Sequence, residues 1–267
     1  MDPIAPLIDS LHGEGRLRVW SLVITAFGDL VQHRGGQISS ARLGRLLGRV
    51  GVEPGAMRTA LSRLGRDGWV ESRRQGRSSL YRLSRQGLAR FAPATSRIYA
   101  PPRDGPVRKW AVSVRFDANG AERVSLVPAE DAPAEPDLCV TGALERVSPA
   151  WRAAMLDTQH RAALAALARD LHALPPDPAD PLDAAALRLL LIHRWRRIVL
   201  RFPDIAPELM PGDAPMADPR AEVARAYIRL IASAETWLDS STEGLSSMPP
   251  ADAGFAERFR RAKGEGA

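Results

Sequence analysis

Apolar positions in the first hundred residues recur with helical spacing in three places and with strand spacing in two. RLRVWSLVITAFGDLVQH (16–33) is apolar over a helical length. Its branched residues would also suit a strand, but its length and its ends favour a buried helix. Gly35 and Gly36 close it. Ile38 offers a one-residue strand contact, and Ser39 or Ser40 is a natural N-cap for ARLGRLLGRV (41–50), which Gly51 stops. Pro54 opens a third helix, 54–67, in the first turn, where a missing N–H is tolerated. Met57, Ala60, Leu61 and Leu64 share one face of it, and Arg58, Thr59, Ser62, Arg63 and Arg66 the other. GWVESRR (68–74) and RSSLYRLS (77–84) alternate as strands around a tight turn at Gln75-Gly76. Trp69, Leu80 and Leu83 are the anchors this pattern gives the hairpin, with Arg73, Arg74 and Arg77 near its tip. Helix, short helix, glycine turn, polar-faced helix and hairpin in that order predict a winged helix-turn-helix.

The pattern then changes twice. APPRDGP (100–106) cannot extend a helix. After it, WAVSVRF (110–116), ERVSLVP (122–128) and DLCVTGAL (137–144) read as strands of a small antiparallel sheet. From Pro149 onward the spacing is helical. WRAAMLDTQHRAALAALARDLHAL (151–174) aligns Leu164, Leu167, Leu171 and Leu174 in one stripe, which suits either a dimer seam or packing within one chain. Further helices are predicted at 182–202 and 220–240, separated by a proline-punctuated loop. Residues beyond 241 are polar and read as frayed. The fold class predicted is therefore α+β and mostly helical. Its parts are a winged helix over 1–100, a β-rich segment over 101–148, a helical domain over 149–242 and a flexible tail over 243–267.

Composition narrows the class. At 45% hydrophobic content the chain supports a core, and it holds no run of about 18 apolar residues for a membrane helix. The N-terminus lacks a basic region followed by an apolar stretch, so no secretory signal is expected. Cys139 is the only cysteine, which excludes an internal disulfide and fits a reducing cytoplasm; in its apolar strand it reads as a small buried hydrophobe. The formal charge of +6 is unevenly spread. Residues 1–105 carry 17 Arg against eight acids, whereas the remainder carries 20 Arg or Lys against 23 acids. A basic first third suggests a polyanionic partner.

Local pattern points to double-stranded DNA. A helix fits the major groove, where arginine bonds guanine bidentately and Ser or Thr reaches base edges or phosphates. Arginines at a wing tip suit the minor groove or flanking phosphates. Candidate DNA contacts are Arg58, Thr59, Ser62, Arg63 and Arg66 on the helix, and Arg73, Arg74 and Arg77 on the hairpin; a protein-docking module with an exposed basic surface is the alternative. Catalytic chemistry is thin. The five histidines form no HExxH or paired ligand spacing, so no metal is expected. There is no GxSxG and no Gly-rich phosphate loop, so the chain does not read as an enzyme and no cofactor is expected.

SLVITAFGD (21–29), RGG (34–36), MRTALSRLGRDGWVESRRQGRSSLYRLS (57–84) and RIYAPP (97–102) resemble the PaaX family of bacterial transcriptional repressors, and LIHRWRRIVLRFPDIAPELMPG (191–212) is similar to its C-terminal helical motif. The resemblance implies a homodimeric repressor of an aromatic-acid operon, such as one for phenylacetate, released from an inverted-repeat operator by an aryl-CoA thioester such as phenylacetyl-CoA. Two departures accompany it. The family's middle domain is ferredoxin-like with a helix between its strands, whereas DANGA (117–121) leaves no room for one, so a reduced sheet is expected. The family also carries a tryptophan shortly after Leu-Leu-Pro, where this chain reads MPGDAPM (210–216). For CoA the candidate contacts are His193, Arg196, Arg197 and Arg201 in HRWRRIVLR, with Trp195 stacking on adenine or buried. These arginines equally suit a solvated face or pairing with Asp204 and Glu208. Control by a protein partner or another ligand, and an enzyme acting on CoA thioesters, are the alternatives.

Overall fold

Helix α1 (Ala5–Gly13) precedes α2 (Val19–Ala26), whose C-terminal end widens into a π-turn over Phe27–Val31. There follow β1 (Gln37–Ser39), α3 (Ser40–Arg49), α4 (Pro54–Arg66), β2 (Val70–Gln75) and β3 (Ser78–Leu83). The structure, a computed structural model, describes residues 2–13, 15, 17–76, 78–241 and 245–260, apart from the Ser78 side chain. The three strands form an antiparallel sheet in the order β1-β3-β2. Ser39 caps α3 by accepting from the Arg42 N–H at 3.1 Å. Next comes α5 (Arg85–Ile98), which the sequence pattern leaves unread because Gly87 and Pro93 fall inside it. Glycine is required at 87: a Cβ there would lie 2.1 Å from the Trp69 carbonyl oxygen, so α5 packs directly on backbone at the start of the hairpin.

The remaining elements are β4 (Trp110–Phe116), β5 (Glu122–Pro128), β6 (Leu138–Gly142), α6 (Pro149–Met155), α7 (Thr158–Ala173), α8 (Pro181–Arg201), α9 (Pro219–Asp239) and the short α10 (Ala253–Ala256). Helices dominate and both sheets are small and antiparallel, which makes the fold α+β. No helix among the described residues is long and apolar enough to cross a membrane.

The chain divides into two compact units whose limits differ from the sequence segments. One comprises Met1–Pro102, Ala166–Phe202 and Arg220–Ala267; the other comprises Arg103–Ala165 and Pro203–Pro219. The helical segment 149–242 is thus split between them. The described part of the expected flexible tail is also placed differently: Met248, Arg258 and Phe259 are buried in the first unit. Its polar composition conceals three residues with partners waiting for them. The leucine stripe of α7 is likewise used within the chain, with Leu164, Leu167 and Leu174 all buried.

The core of the first unit is built on an ionic centre. Gln32 N–H bonds the Phe27 carbonyl at 2.9 Å, five residues back, and so leaves the Gly28 carbonyl to accept from Arg258 Nη2 at 2.6 Å. Asp29 Oδ1 accepts from Tyr99 Oη at 2.8 Å and from Tyr227 Oη and Arg258 Nη1, each at 2.9 Å; Oδ2 accepts from Arg188 Nε at 2.9 Å. Arg188 also reaches Glu235 at 2.5 Å, and Glu235 accepts from Arg34 Nε at 2.8 Å. Tyr99, Tyr227 and Phe259 pack edge to face or tilted around the guanidiniums. Burial by itself lowers the Arg188 and Arg258 pKa values, but the surrounding acidic groups, Asp29 among them, more than offset it and hold both above the usual arginine range. Burial raises the Tyr99 and Tyr227 hydroxyls, keeping both as neutral donors.

In the second unit β4 is central, in the order β5-β4-β6. The β4–β5 connection is the five-residue turn read from DANGA: Asp117 Oδ1 accepts from the Asn119 and Ala121 N–H groups at 2.8 and 3.0 Å, and Gly120 has φ +77°. Cys139 is exposed rather than buried, because β6 is an edge strand whose residues are all accessible.

Arg258→Ala should cost about 3–5 kcal/mol of stability, because buried Asp29 would lose one of its two guanidinium partners and the Gly28 carbonyl its donor. Urea unfolding followed by far-UV circular dichroism measures this, and an unchanged midpoint would contradict the role given to the C-terminal segment.

Candidate nucleic-acid interface

Helix α4 carries its two characters on opposite sides. Met57, Ala60, Leu61 and Leu64 are buried, and Arg58, Thr59, Ser62, Arg63 and Arg66 are all exposed. Arg58, Ser62 and Arg66 lie at successive spacings of four and form one stripe, with Thr59 and Arg63 alongside. The turn from α3 uses Gly51 at φ +81°, and the Val52 N–H returns to the Leu47 carbonyl at 3.0 Å, which closes α3 and sets the start of α4. The polar side chains are lightly committed. Thr59 Oγ1 donates to the Gly55 carbonyl at 3.0 Å, and Arg63 Nε lies 3.5 Å from Asp67, both groups more than half exposed. An exposed pair of that kind contributes little and exchanges readily for a stronger anion.

The hairpin differs in detail from the sequence expectation. Gln75 pairs with Ser78, and Gly76, in the turn that follows Gln75, has φ +59°. Arg77 lies outside the described residues. Val70 opposes Leu83, and both are buried; Leu80 opposes Arg73 on the other face and does not anchor the hairpin. Trp69 is half-buried beneath the Arg90 guanidinium, 5.4 Å from the ring centroid. Adjacent strand residues point to opposite faces, so Arg73 and Arg74, although both exposed, do not form one cluster. Arg73 shares its face with the Arg82–Glu71 pair at 2.8 Å and helps line a shallow cavity with Gln37 and Tyr81. Arg74 Nε donates to the Gly76 carbonyl at 3.3 Å at the turn.

The four residues considered for CoA are not brought to one groove. His193 is buried, and its Nδ1 lies 3.0 Å from Thr25 Oγ1. Arg196 reaches the same Thr25 hydroxyl at 3.3 Å and Ser21 Oγ at 3.2 Å. Arg197 and Arg201 are exposed on α8, and Arg201 stacks on Phe202 at 5.2 Å. Trp195 is core: its Nε1 donates to the Ile98 carbonyl at 2.9 Å. Glu208 accepts from the Val107 N–H at 2.7 Å. Among the described residues no group of three or more His, Cys, Asp or Glu side chains is placed to hold a metal ion.

Sequence reasoning missed the residues that fix this surface from behind. Asp29 and Arg188 each sit inside an apolar run, VITAFGDLV and AAALRLLLI, and a charge in that setting signals a buried partner. Arg42, on α3, is fully buried and donates to the Trp237 and Ser240 carbonyls at 2.6 and 2.7 Å.

Comparison with known proteins places this geometry in a family. The family model described as PaaX-like protein matches residues 18–87, and that for the PaaX-like protein C-terminal domain matches residues 151–243. Together they span more than half of the chain. The chain is 26% identical to the transcriptional repressor PaaX of Escherichia coli, over 90% of this chain and 89% of that one. It also aligns with the solved structure of the uncharacterized protein Rv0674 from Mycobacterium tuberculosis at 21% identity and a TM-score of 0.43, covering 80% of this chain and 97% of the other.

Burial, followed by the charges of Arg196 and Arg197, pushes the His193 pKa down to about 3. The unfolded chain regains the ordinary value near 6.5, so it binds the proton first as pH falls. Stability should therefore decline below about pH 6.5, by at most about 1.4 kcal/mol per pH unit from this group. Urea midpoints measured from pH 7 to 5 should fall less steeply in His193→Gln than in the parent; parallel slopes would contradict the assignment.

Proposed function

Because this chain belongs to the PaaX family, whose members are transcriptional regulators rather than enzymes, we propose that it is a DNA-binding repressor that reads its operator with α4. The observation that carries the reading is the α4 surface itself: three arginines, a threonine and a serine exposed together, backed by a buried apolar face. Helices α2, α3 and α4 with the β1-β3-β2 sheet supply the parts of a winged helix in the right order. In this reading α4 enters the major groove, where Arg58, Arg63 and Arg66 contact guanine edges or phosphates and Thr59 and Ser62 reach neighbouring bases. The hairpin is the wing. Arg73, Arg74 and Arg77 contact the flanking backbone, Arg73 and Arg74 from its two faces.

Similarity to the repressor PaaX supports repression of an aromatic-acid operon, phenylacetate being the natural candidate. The finer proposal is a homodimer on an inverted repeat, released by an aryl-CoA thioester such as phenylacetyl-CoA. The middle sheet takes the place of a ferredoxin-like domain reduced by one helix. Exposed Arg197 and Arg201 are the α8 residues that suit CoA phosphates; His193 is held neutral and buried, and Arg196 serves the α2–α8 contact.

Gel shifts on duplexes from the DNA upstream of the gene, at graded salt, test the reading. Arg58→Ala and Arg63→Ala should each weaken specific binding by about 1–3 kcal/mol, roughly ten- to hundredfold, with circular dichroism unchanged. Arg74→Ala should weaken all sequences alike and reduce the salt slope by about one. Operator affinity indifferent to Arg58 and Arg63 would overturn α4 as the reading helix. Complexes that persist at saturating phenylacetyl-CoA would remove the effector from the proposal.

A further inference from the structure

Arg196 is half-buried between α2 and α8, and every atom it bonds is neutral. Its Nη1 donates to the Ser21 carbonyl at 3.4 Å, to Ser21 Oγ at 3.2 Å and to Thr25 Oγ1 at 3.3 Å. The other edge of the guanidinium, Nε with Nη2, makes no hydrogen bond among the described residues. Nε is also shut away from solvent, so it is a buried donor without an acceptor, whereas Nη2 keeps solvent contact. That edge is the one arginine presents side-on to a carboxylate or a phosphate. Elsewhere in the first unit it is used in that way. Arg34, Arg188 and Arg194 direct Nε to Glu235, Asp29 and Asp170 at 2.8, 2.9 and 2.6 Å.

The surroundings suit an anion. The side chains that meet at this point of the α2–α8 seam are Ser21, Thr25 and His193, with Arg197 next along α8. None of these is acidic. His193 stays neutral, because burial and then the charges of Arg196 and Arg197 push its pKa down. Burial likewise lowers the Arg196 pKa, as desolvation of a cation does where no carboxylate offsets it. Ser21 lies in the first turn of α2, where the helix dipole favours negative charge. Its hydroxyl oxygen accepts from Arg196, and among the described residues its O–H has no acceptor, which leaves that proton to donate.

We propose that the α2–α8 seam at Arg196 is a binding site for a small oxyanion, a carboxylate or phosphate group, held by the Arg196 guanidinium and the Ser21 hydroxyl. The group arrives from the solvent side at Nη2, and a small shift of the side chain lets a second oxygen meet Nε. It satisfies the buried donor and supplies the negative charge that the seam lacks. It also joins α2 to α8, so occupancy stabilises the folded chain. The site is separate from the exposed Arg197 and Arg201 that suit CoA phosphates, and it stands whether or not the chain binds DNA.

The full chain, labelled with nitrogen-15 at arginine, can be titrated with inorganic phosphate and separately with acetate, at constant ionic strength set by sodium chloride. One side-chain Nε–H resonance, identified by its loss in Arg196→Lys, should move and saturate. The thermal unfolding midpoint should rise along the same curve. Arg196→Lys keeps the charge but lacks the side-on edge, and it should weaken the apparent affinity about tenfold or more, the loss of one charge-assisted hydrogen bond. Ser21→Ala leaves the guanidinium in place and should weaken it severalfold, which covers the case of an Arg196 variant that folds poorly. Arg225→Gln, exposed on α9, should respond as the parent. Saturation by only one of the two anions supports the site and identifies its ligand. A resonance that neither anion moves would sink the proposal. So would midpoints that rise equally in the parent and in both seam variants, since that is general stabilisation by salt.

Discussion

The Asp29 carboxylate is the point on which the first unit is assembled. It accepts four hydrogen bonds, from α8, from α9, from the end of α5 and from the C-terminal segment, and its side chain is shut away from solvent. A lone carboxylate there would be prohibitive; with Arg188, Arg258 and two tyrosine hydroxyls it is paired and fully hydrogen-bonded. Around it three guanidiniums (Arg34, Arg188 and Arg258) meet three carboxylates (Asp29, Glu235 and Asp239). Charge is balanced within the cluster. A buried network of this kind contributes little net stability compared with apolar packing of the same volume, but each member makes the others costly to remove. It therefore specifies which segments come together more than it adds to the total.

That specification reaches the proposed reading surface through α2. Helix α4 packs its buried face against α2, and Asp29 lies in the π-turn that ends α2. Arg42 ties α3 to the carbonyls at the end of α9, and Arg34 ties the strand-side loop to Glu235, Asp239 and the Pro249 carbonyl. The segment that reads as an N-terminal domain in sequence is thus one part of a unit completed by α8, α9 and residues 245–260. Close approach enforces the same arrangement at Gly28, where a Cβ would lie 2.0 Å from the Phe91 ring.

Much of this was legible in the sequence where the signal is local. The strands of the middle segment fall within a residue or two of their alternation pattern, and α3, α4 and the hairpin follow from glycine, proline and apolar spacing. The two-faced character of α4 was legible for the same reason. What escaped depends on distant partners. α5 contains Gly87 and Pro93, residues that lower helix propensity, and it forms because Phe91 and Ile98 are buried against the rest of the unit. Residues 245–260 look like a polar tail because Arg258 counts as polar until Asp29 is placed beside it. The basic run of α8 suggested a ligand site, yet half of it, His193 and Arg196, is spent on Ser21 and Thr25 of α2. Several stretches that carry the family resemblance, SLVITAFGD, RGG and RIYAPP, supply Asp29, Arg34 and Tyr99 and so meet around the ionic centre.

The π-turn and the docking of the C-terminal segment are two descriptions of one arrangement. In a regular α-helix the Gln32 N–H would bond the Gly28 carbonyl, and Arg258 Nη2 would lose its acceptor. With the turn widened, Gln32 bonds Phe27 and the Gly28 carbonyl is satisfied only by the guanidinium that arrives from residue 258. Withdrawal of the segment would leave that carbonyl without a donor and take one of two guanidiniums from the Asp29 carboxylate and carbonyl, which keep Tyr99, Tyr227 and Arg188, a cost of several kcal/mol. Closing the turn to α geometry would relieve the first of these, and it would do so by shifting the end of the helix against which α4 rests. The wide turn persists because Arg258 is there, and Arg258 is bound because the turn is wide.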